Sequence, residues 1–369
     1  MGCCRLALAI AVVLVHGGGF SPMIGGALAV QAFFVISGFY MALVLHTKYP
    51  PGAKSYWIFV SNRLIRLWPV YLLVLTLAAG VWWGWPARAE QPALFGAWVE
   101  HWGQLTFSTK VILGGANLFL MGQDWLMFAA VNPQTGLLYL TADFAKEPLP
   151  AFVFLVLPPS WSLGVELTFY LIAPLVARRS VRFLIGLIAG SFLVRFAAYA
   201  VFHHHDPWSY RFFPAELAFF LFGVLAHRLS MVMPLALDEV RRKHIGLGAL
   251  VVVLLFLGTL RISKDFAVLA AFALCLPFIF EATKSNRLDR AIGELSYSVY
   301  LGHAFLAPVL LAGFKRLGLS LAPNFFAALL VVSSLALAVA MNFGVDRPID
   351  RFRQTRARQT IEPVSEPSR

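Results

Sequence analysis

The chain has 369 residues, 59% hydrophobic and 13% charged, with a mean hydropathy of +0.75, which excludes a soluble globular protein of this length. Several apolar runs reach the roughly 17 to 25 residues that cross a bilayer as a helix, so the composition points to an all-α integral membrane protein and away from a β-barrel. The net charge of +12 would suggest nucleic acid in a soluble chain, but here its distribution reports topology and implies no nucleic-acid partner.

The first stretch, Arg5 to His16 (RLALAIAVVLVH), is apolar between two ionisable ends. Eleven residues make almost three helical turns, so the guanidinium and the imidazole share one face about 16 Å apart. With Arg5 at the inner edge of a hydrocarbon core about 30 Å thick, His16 falls near its middle. There it faces a cavity or a partner rather than lipid. The alternative is a bundle histidine, or one at an outer helix end before Gly17, Gly18 and Gly19; those glycines lack the flanks of a phosphate loop and suit a helix stop. The stretch has no small-residue cleavage site and is read as a retained helix. With only Cys3, Cys4 and Cys275 there is no disulfide framework or Cys-x-x-Cys pair, and no metal is expected.

Ten spans are predicted, at about 6–24, 28–46, 67–85, 162–177, 183–202, 211–227, 245–260, 266–281, 295–314 and 323–345. With both termini inside, the inner segments hold 21 of the 30 basic residues and the outer segments eight, with Arg195 inside a span. Residues 1–345 thus form one transmembrane domain, and 346–369 a short basic cytoplasmic tail that reads as a solvated, headgroup-facing end. Region 86–160 interrupts the hairpin pattern. Its apolar part carries Asn117, Gln123 and Asp124, which favours an outer cap or re-entrant segment, while two extra spans would keep the same parity.

Arg63 and Arg66, at i and i+3 in NRLIRLWP, suit either a forked phosphate clamp or positive-inside anchoring. Ser162 and Glu166, at i and i+4 in PPSWSLGVELTFY, present a hydroxyl and a carboxylate on one face; they bind a substrate hydroxyl, orient His16, or cap the helix. Arg195, Glu216 and His303 are further ionisable residues within spans; one or two of them suit packing salt bridges or bundle hydrogen bonds, and none alone identifies an activity. His203, His204 and His205 are adjacent in a loop and do not converge as spaced metal ligands would.

Six segments in order, RLALAIAVVLVH, FFVISGF (33–39), NRLIRLWPVY (62–71), WSLGVELTFYL (161–171), SYSVYLGH (296–303) and DRP (346–348), resemble the acyltransferase family 3 membrane proteins, which O-acylate bacterial surface polysaccharides, peptidoglycan, lipids and some antibiotics. The resemblance runs from Arg5 to Pro348 and implies about ten transmembrane helices around a central cavity in the inner membrane. It implies His16 as the catalytic histidine with Glu166 and Ser162 beside it as the outer-face motif, Arg5 as motif partner, and Arg63 and Arg66 as acyl-donor contacts. Arg195, Glu216, Tyr297 and His303 are candidates for the cavity wall. Gln31, Leu167 and Asp346 stand where the family usually has other acidic patterns, which weakens any second carboxylate there.

The implied reaction takes an acyl group, acetyl foremost, from cytoplasmic acyl-CoA as co-substrate, with no bound cofactor, to a hydroxyl of an extracytoplasmic glycan, lipid-linked sugar or small molecule. His16 then serves either as general base or as covalent acyl carrier. The rival classes are a transporter or channel using His16, Glu166 and Arg195 as a proton or solute path, and a scaffold in which every charge is structural.

Overall fold

Backbone amides in hydrocarbon have no water to bond, so apolar runs of this length satisfy themselves as helices. The computed structural model describes residues 1–19, 25–86, 91–203, 206–232, 241, 244–246, 248 and 265–358. It is mostly helical: α1 (Gly2–Gly17), α2 (Gly26–Thr47), α3 (Ala53–Gly84), α4 (Gly96–His101), α5 (Phe107–Phe119), α6 (Trp161–Val176), α7 (Val181–Phe202), α8 (Phe213–Val232), α9 (Asp265–Thr283), α10 (Arg287–Arg316), α11 (Pro323–Met341) and α12 (Arg347–Arg358). Among the described residues seven helices are long and apolar enough to cross a membrane: α2, α3, α7, α8, α9, α10 and the unit of α11 with α12. The helices at the first and fourth predicted spans have 16 residues each, and most of the seventh, 245–260, lies outside the described residues.

The boundaries differ from the sequence reading where charge masks helix. The third helix begins at Ala53 rather than 67, so Arg63 and Arg66 sit within it; charged residues lower a hydropathy window without lowering helix propensity. In the first span the helix stops at Gly17, with Gly18 in the left-handed region (φ 70°), a conformation glycine adopts without a Cβ penalty.

Helix α1 packs among α2, α10 and α11, and α2 packs closely on α8. The α2–α8 approach depends on small residues: a Cβ on Gly38 would overlap the Phe220 carbonyl, and one on Gly223 the Val35 carbonyl. Such contact lets dispersion act between backbones in a setting where lipid supplies no hydrophobic drive. Beside it Phe34, Phe220 and Phe169 stack in a column, with centroids 4.6 and 4.3 Å apart, joining α2, α8 and α6.

Region 91–160 forms a cap over the end of the bundle where α3 stops and α6 begins. It contains α4, α5, single 3₁₀ turns and a small antiparallel hairpin pairing 129–131 with 138–140. Its 13-residue α5 rises about 20 Å, short of a span. Asn117, Gln123 and Asp124 are buried pins. Asn117 donates to Phe154 O (2.9 Å) and accepts from Val156 N (2.8 Å); Gln123 donates to the Tyr71 hydroxyl (2.9 Å) and accepts from Ser160 Oγ. Asp124 lies over Gly164 of α6, where a Cβ would come within 2.5 Å of its Oδ1.

Helix α12 is the clearest departure from the sequence reading. The basic tail is not free in solvent over Arg347–Arg358: a π turn at Asn342–Asp346 carries α11 into α12, which packs back on α3 with Ala357 buried.

Candidate functional site: a basic vestibule joined to a buried cavity

Positive charge inside a bundle is tolerated when it faces water or an anion. Arg5, Arg63 and Arg66, from α1 and α3, line a vestibule of about 1330 Å³ with α10 and α12 forming other walls. Arg63 is 5% exposed and its Nε has no partner, an expensive arrangement unless a ligand supplies the acceptor. Arg5, Tyr40 and Arg66 also line a second cavity of about 730 Å³ deeper in the bundle. The two spaces therefore meet at a neck carrying two guanidiniums and a phenol.

Beyond the neck the polar lining comes from α2, α6 and α10. Ser162, Glu166 and Tyr170 recur every fourth residue and face one way along α6. Glu166 accepts from Ser37 Oγ (2.6 Å) and from the Tyr170 hydroxyl. The Ser162 and Tyr300 hydroxyls are 2.7 Å apart, both within reach of Pro159 O at 3.1 and 2.8 Å. The capping alternative for these serines is not what the structure holds: Ser160 and Ser162 make no side-chain cap to α6, Ser160 being engaged by Gln123 and Leu157 O. Tyr297 lines the same cavity and donates to Leu67 O (2.7 Å).

His16 occupies the last turn of α1 and is exposed; it does not line the cavity. The structure thus places it at the helix end, the alternative left open by the sequence. Its Nδ1 lies 2.9 Å from Val12 O. A carbonyl only accepts, so Nδ1 carries the hydrogen, and in the neutral ring Nε2 holds the free lone pair. The His16 ring is 5.0 Å from that of His303, which is 5.9 Å from Tyr300. His303 is 1% exposed, and among the described residues neither ring nitrogen has a hydrogen-bond partner. A run of side chains therefore links the exposed imidazole to the cavity wall through His303, Tyr300 and Ser162.

Arg195 and Glu216 lie elsewhere. They pair at 2.6 Å in a fully packed setting between α7 and α8; Gln31 donates to the same carboxylate (3.0 Å), and Phe219 and Phe266 flank the guanidinium. Neither lines the cavity. Gln31, rather than an acid, avoids setting a second carboxylate against Glu216. Sequence reading missed Ser37, Tyr40, Tyr170 and Tyr300. Tyr170 was discoverable, because it extends the i+4 series of Ser162 and Glu166. Among the described residues no three His, Cys, Asp or Glu converge on a metal position, and His203 serves as the left-handed C-cap of α7 (φ 57°).

A chain so built, with cations leading into a cavity that holds hydroxyls and a carboxylate in an apolar bundle, is a multi-pass membrane protein with an internal polar site. Residues 2–343 match the acyltransferase family 3 domain, described as an acyltransferase domain, and the chain belongs to that family and is an acyltransferase. It is similar to the exopolysaccharide production protein ExoZ of Rhizobium meliloti (strain 1021), 25% identical over 345 residues, which cover 90% of this chain and 92% of that one. No solved structure matches.

Proposed function

We propose that this acyltransferase moves an acyl group, acetyl foremost, from cytoplasmic acyl-CoA to a hydroxyl of a cell-surface glycan or lipid-linked sugar across the inner membrane. The observation that carries the reading is the neck: Arg5, Tyr40 and Arg66 belong at once to the basic vestibule and to the deeper cavity. Phosphates held by forked guanidiniums stay in the vestibule, while the uncharged arm of the donor passes the neck and carries its thioester along the Ser162, Tyr300 and His303 wall as far as the His16 ring. The basic end of the bundle is the cytoplasmic one by the distribution of Lys and Arg. The name of ExoZ, a protein of exopolysaccharide production, favours a glycan as acceptor.

The acceptor arrives from the cap end, where His16 is exposed. A 16-residue helix rises about 24 Å, less than the hydrocarbon thickness of about 30 Å, so a chain entering at the basic end leaves His16 short of the far face. Its Nε2 takes the proton of the acceptor hydroxyl, the oxygen bonds to the thioester carbonyl carbon, the carbon–sulfur bond breaks, and the leaving thiolate recovers the proton. Covalent transfer through the same Nε2 uses the same geometry in two steps. The test is direct: purified protein with acetyl-CoA and surface glycan should release free CoA and yield an acetyl ester seen by mass spectrometry, and cells lacking the protein should lack that ester. A chain that conducts solute but consumes no acyl-CoA would return the site to a transport path.

A further inference from the structure

The vestibule is larger than three arginines need. Its wall includes Lys48, Lys284, Arg290 and Arg353 as well, seven basic residues in all against Asp289, Glu294 and Asp350. The cations fall into two sets. Arg5 and Arg66 are at the neck and line both spaces, whereas Lys48, Arg63, Lys284, Arg290 and Arg353 line the vestibule only, Arg290 from α10 and Arg353 from α12.

Arg353 reaches the wall because α12 is fastened to α3. Its Nε donates to Asn62 O (2.8 Å), Asn62 Nδ2 donates to Arg353 O (3.3 Å), and Arg356 bonds Ser61 Oγ (3.0 Å) and Asn62 Oδ1 (3.3 Å). Asn62 is fully buried and also donates to the Tyr49 hydroxyl (2.8 Å). The Arg353 Nη1 is taken by Asp350, and Nη2 has no protein acceptor among the described residues. A guanidinium fixed on two nitrogens and open on the third is oriented before any ligand arrives, which lowers the entropy lost on binding.

We infer that α12 is a working wall of the donor site, and that Arg353 with Arg290 forms a second anion subsite that takes a phosphomonoester standing apart from the diphosphate at the neck. In a CoA thioester that group is the ribose 3′-phosphate. The inference rests on the acyl-CoA reading and adds what that reading leaves open: the donor is selected by its extra phosphate, and the basic tail helix does the selecting.

The experiment compares CoA with 3′-dephospho-CoA binding to the purified full-length protein in detergent by calorimetry. The parent should bind CoA at least tenfold more tightly than the dephospho compound. Arg353→Gln should bring the two affinities together at the weaker value, and so should Arg290→Gln in part. Gln354→Glu, which adds a charge to the same wall without touching the Asn62 contacts, should weaken CoA more than dephospho-CoA. The readout is a ratio within each protein, so a general loss of folded material does not imitate it. Equal affinities in the parent would overturn the subsite while leaving acyl-CoA as donor; binding of neither compound would overturn both. An unchanged ratio in Arg353→Gln would remove α12 from the donor site.

Discussion

At the scale of residues, His16 and the arginines are asked for opposite things. His16 offers a lone pair on Nε2 because Val12 O holds Nδ1–H, and its replacement by Ala should lower acyl transfer on the order of a hundredfold or more while donor binding persists. Turnover and CoA affinity measured on the same folded variant check this, and near-parental turnover would exclude His16 as base or carrier. Arg63→Ala or Arg66→Ala should do the reverse, weakening acyl-CoA binding by roughly 1.5 to 3 kcal/mol, the scale of a hydrogen bond to a charged group. The loss should be smaller at high salt, and Lys should restore little because it lacks the fork. Titrations at two ionic strengths decide between a clamp and plain anchoring. Much of this site is readable in the sequence, because Arg5, Arg66, Ser162 and Glu166 stand out as polar groups at helical spacing. Ser37, Tyr40 and Tyr300 do not: a hydroxyl in an apolar run looks the same whether it faces a cavity or a neighbouring carbonyl. Arg195 and Glu216 suit either a cavity wall or a packing salt bridge by sequence, and they form the salt bridge; spacing between two separate helices does not say which.

At the scale of elements, the sequence conveyed the long helices through their apolar length, and lost those whose position depends on distant partners. The tail helix α12 is too basic for apolar length to announce it and is held through Asn62, some 290 residues away. The cap is similar. Asn117, Gln123 and Asp124 read as interruptions of a span, and they are instead the groups that fasten cap to bundle. Asp124 makes this docking sensitive to pH. Burial raises its carboxyl from the ordinary 3.8 to about 6, since removal from water disfavours the charged form. The sign follows from linkage: the folded state binds the proton more tightly than the unfolded one, so this contribution is fully present below pH 3.8 and is lost as pH rises through about 6. Thermal unfolding of the detergent-solubilised protein should therefore show a midpoint that falls between about pH 4 and 6, and Asp124→Asn should flatten that fall and lie above the parent at pH 8. A parental slope surviving in Asp124→Asn would assign the effect to another group.

At the scale of the molecule, the distribution of charge and the two-ended site make one demand together. On the proposed function the nucleotide donor is cytoplasmic and the surface acceptor is not, so that proposal requires vestibule and cap to open to opposite sides of the membrane. The fold separates them: α12 and the vestibule lie at the basic end, where α1 and α10 begin, and the cap lies where α3 ends and α6 starts. The bias of 21 basic residues to eight predicts that the vestibule end is inside. This can be tested without knowing the acceptor. Lys146 in the cap and Arg351 in α12 are both exposed, and Lys146 gives up only a surface pair with Asp143, worth little. In a background with Cys3, Cys4 and Cys275 replaced, a membrane-impermeant thiol reagent applied to intact spheroplasts should label Lys146→Cys and spare Arg351→Cys, which reacts only after permeabilisation. Labelling of Arg351→Cys from outside would invert the molecule, put the arginine vestibule away from the cytoplasmic nucleotide pool, and leave Arg5, Arg63 and Arg66 without the donor proposed for them. Labelling of both from one side would mean an even number of crossings between them, against the seven that the ten-span reading places there.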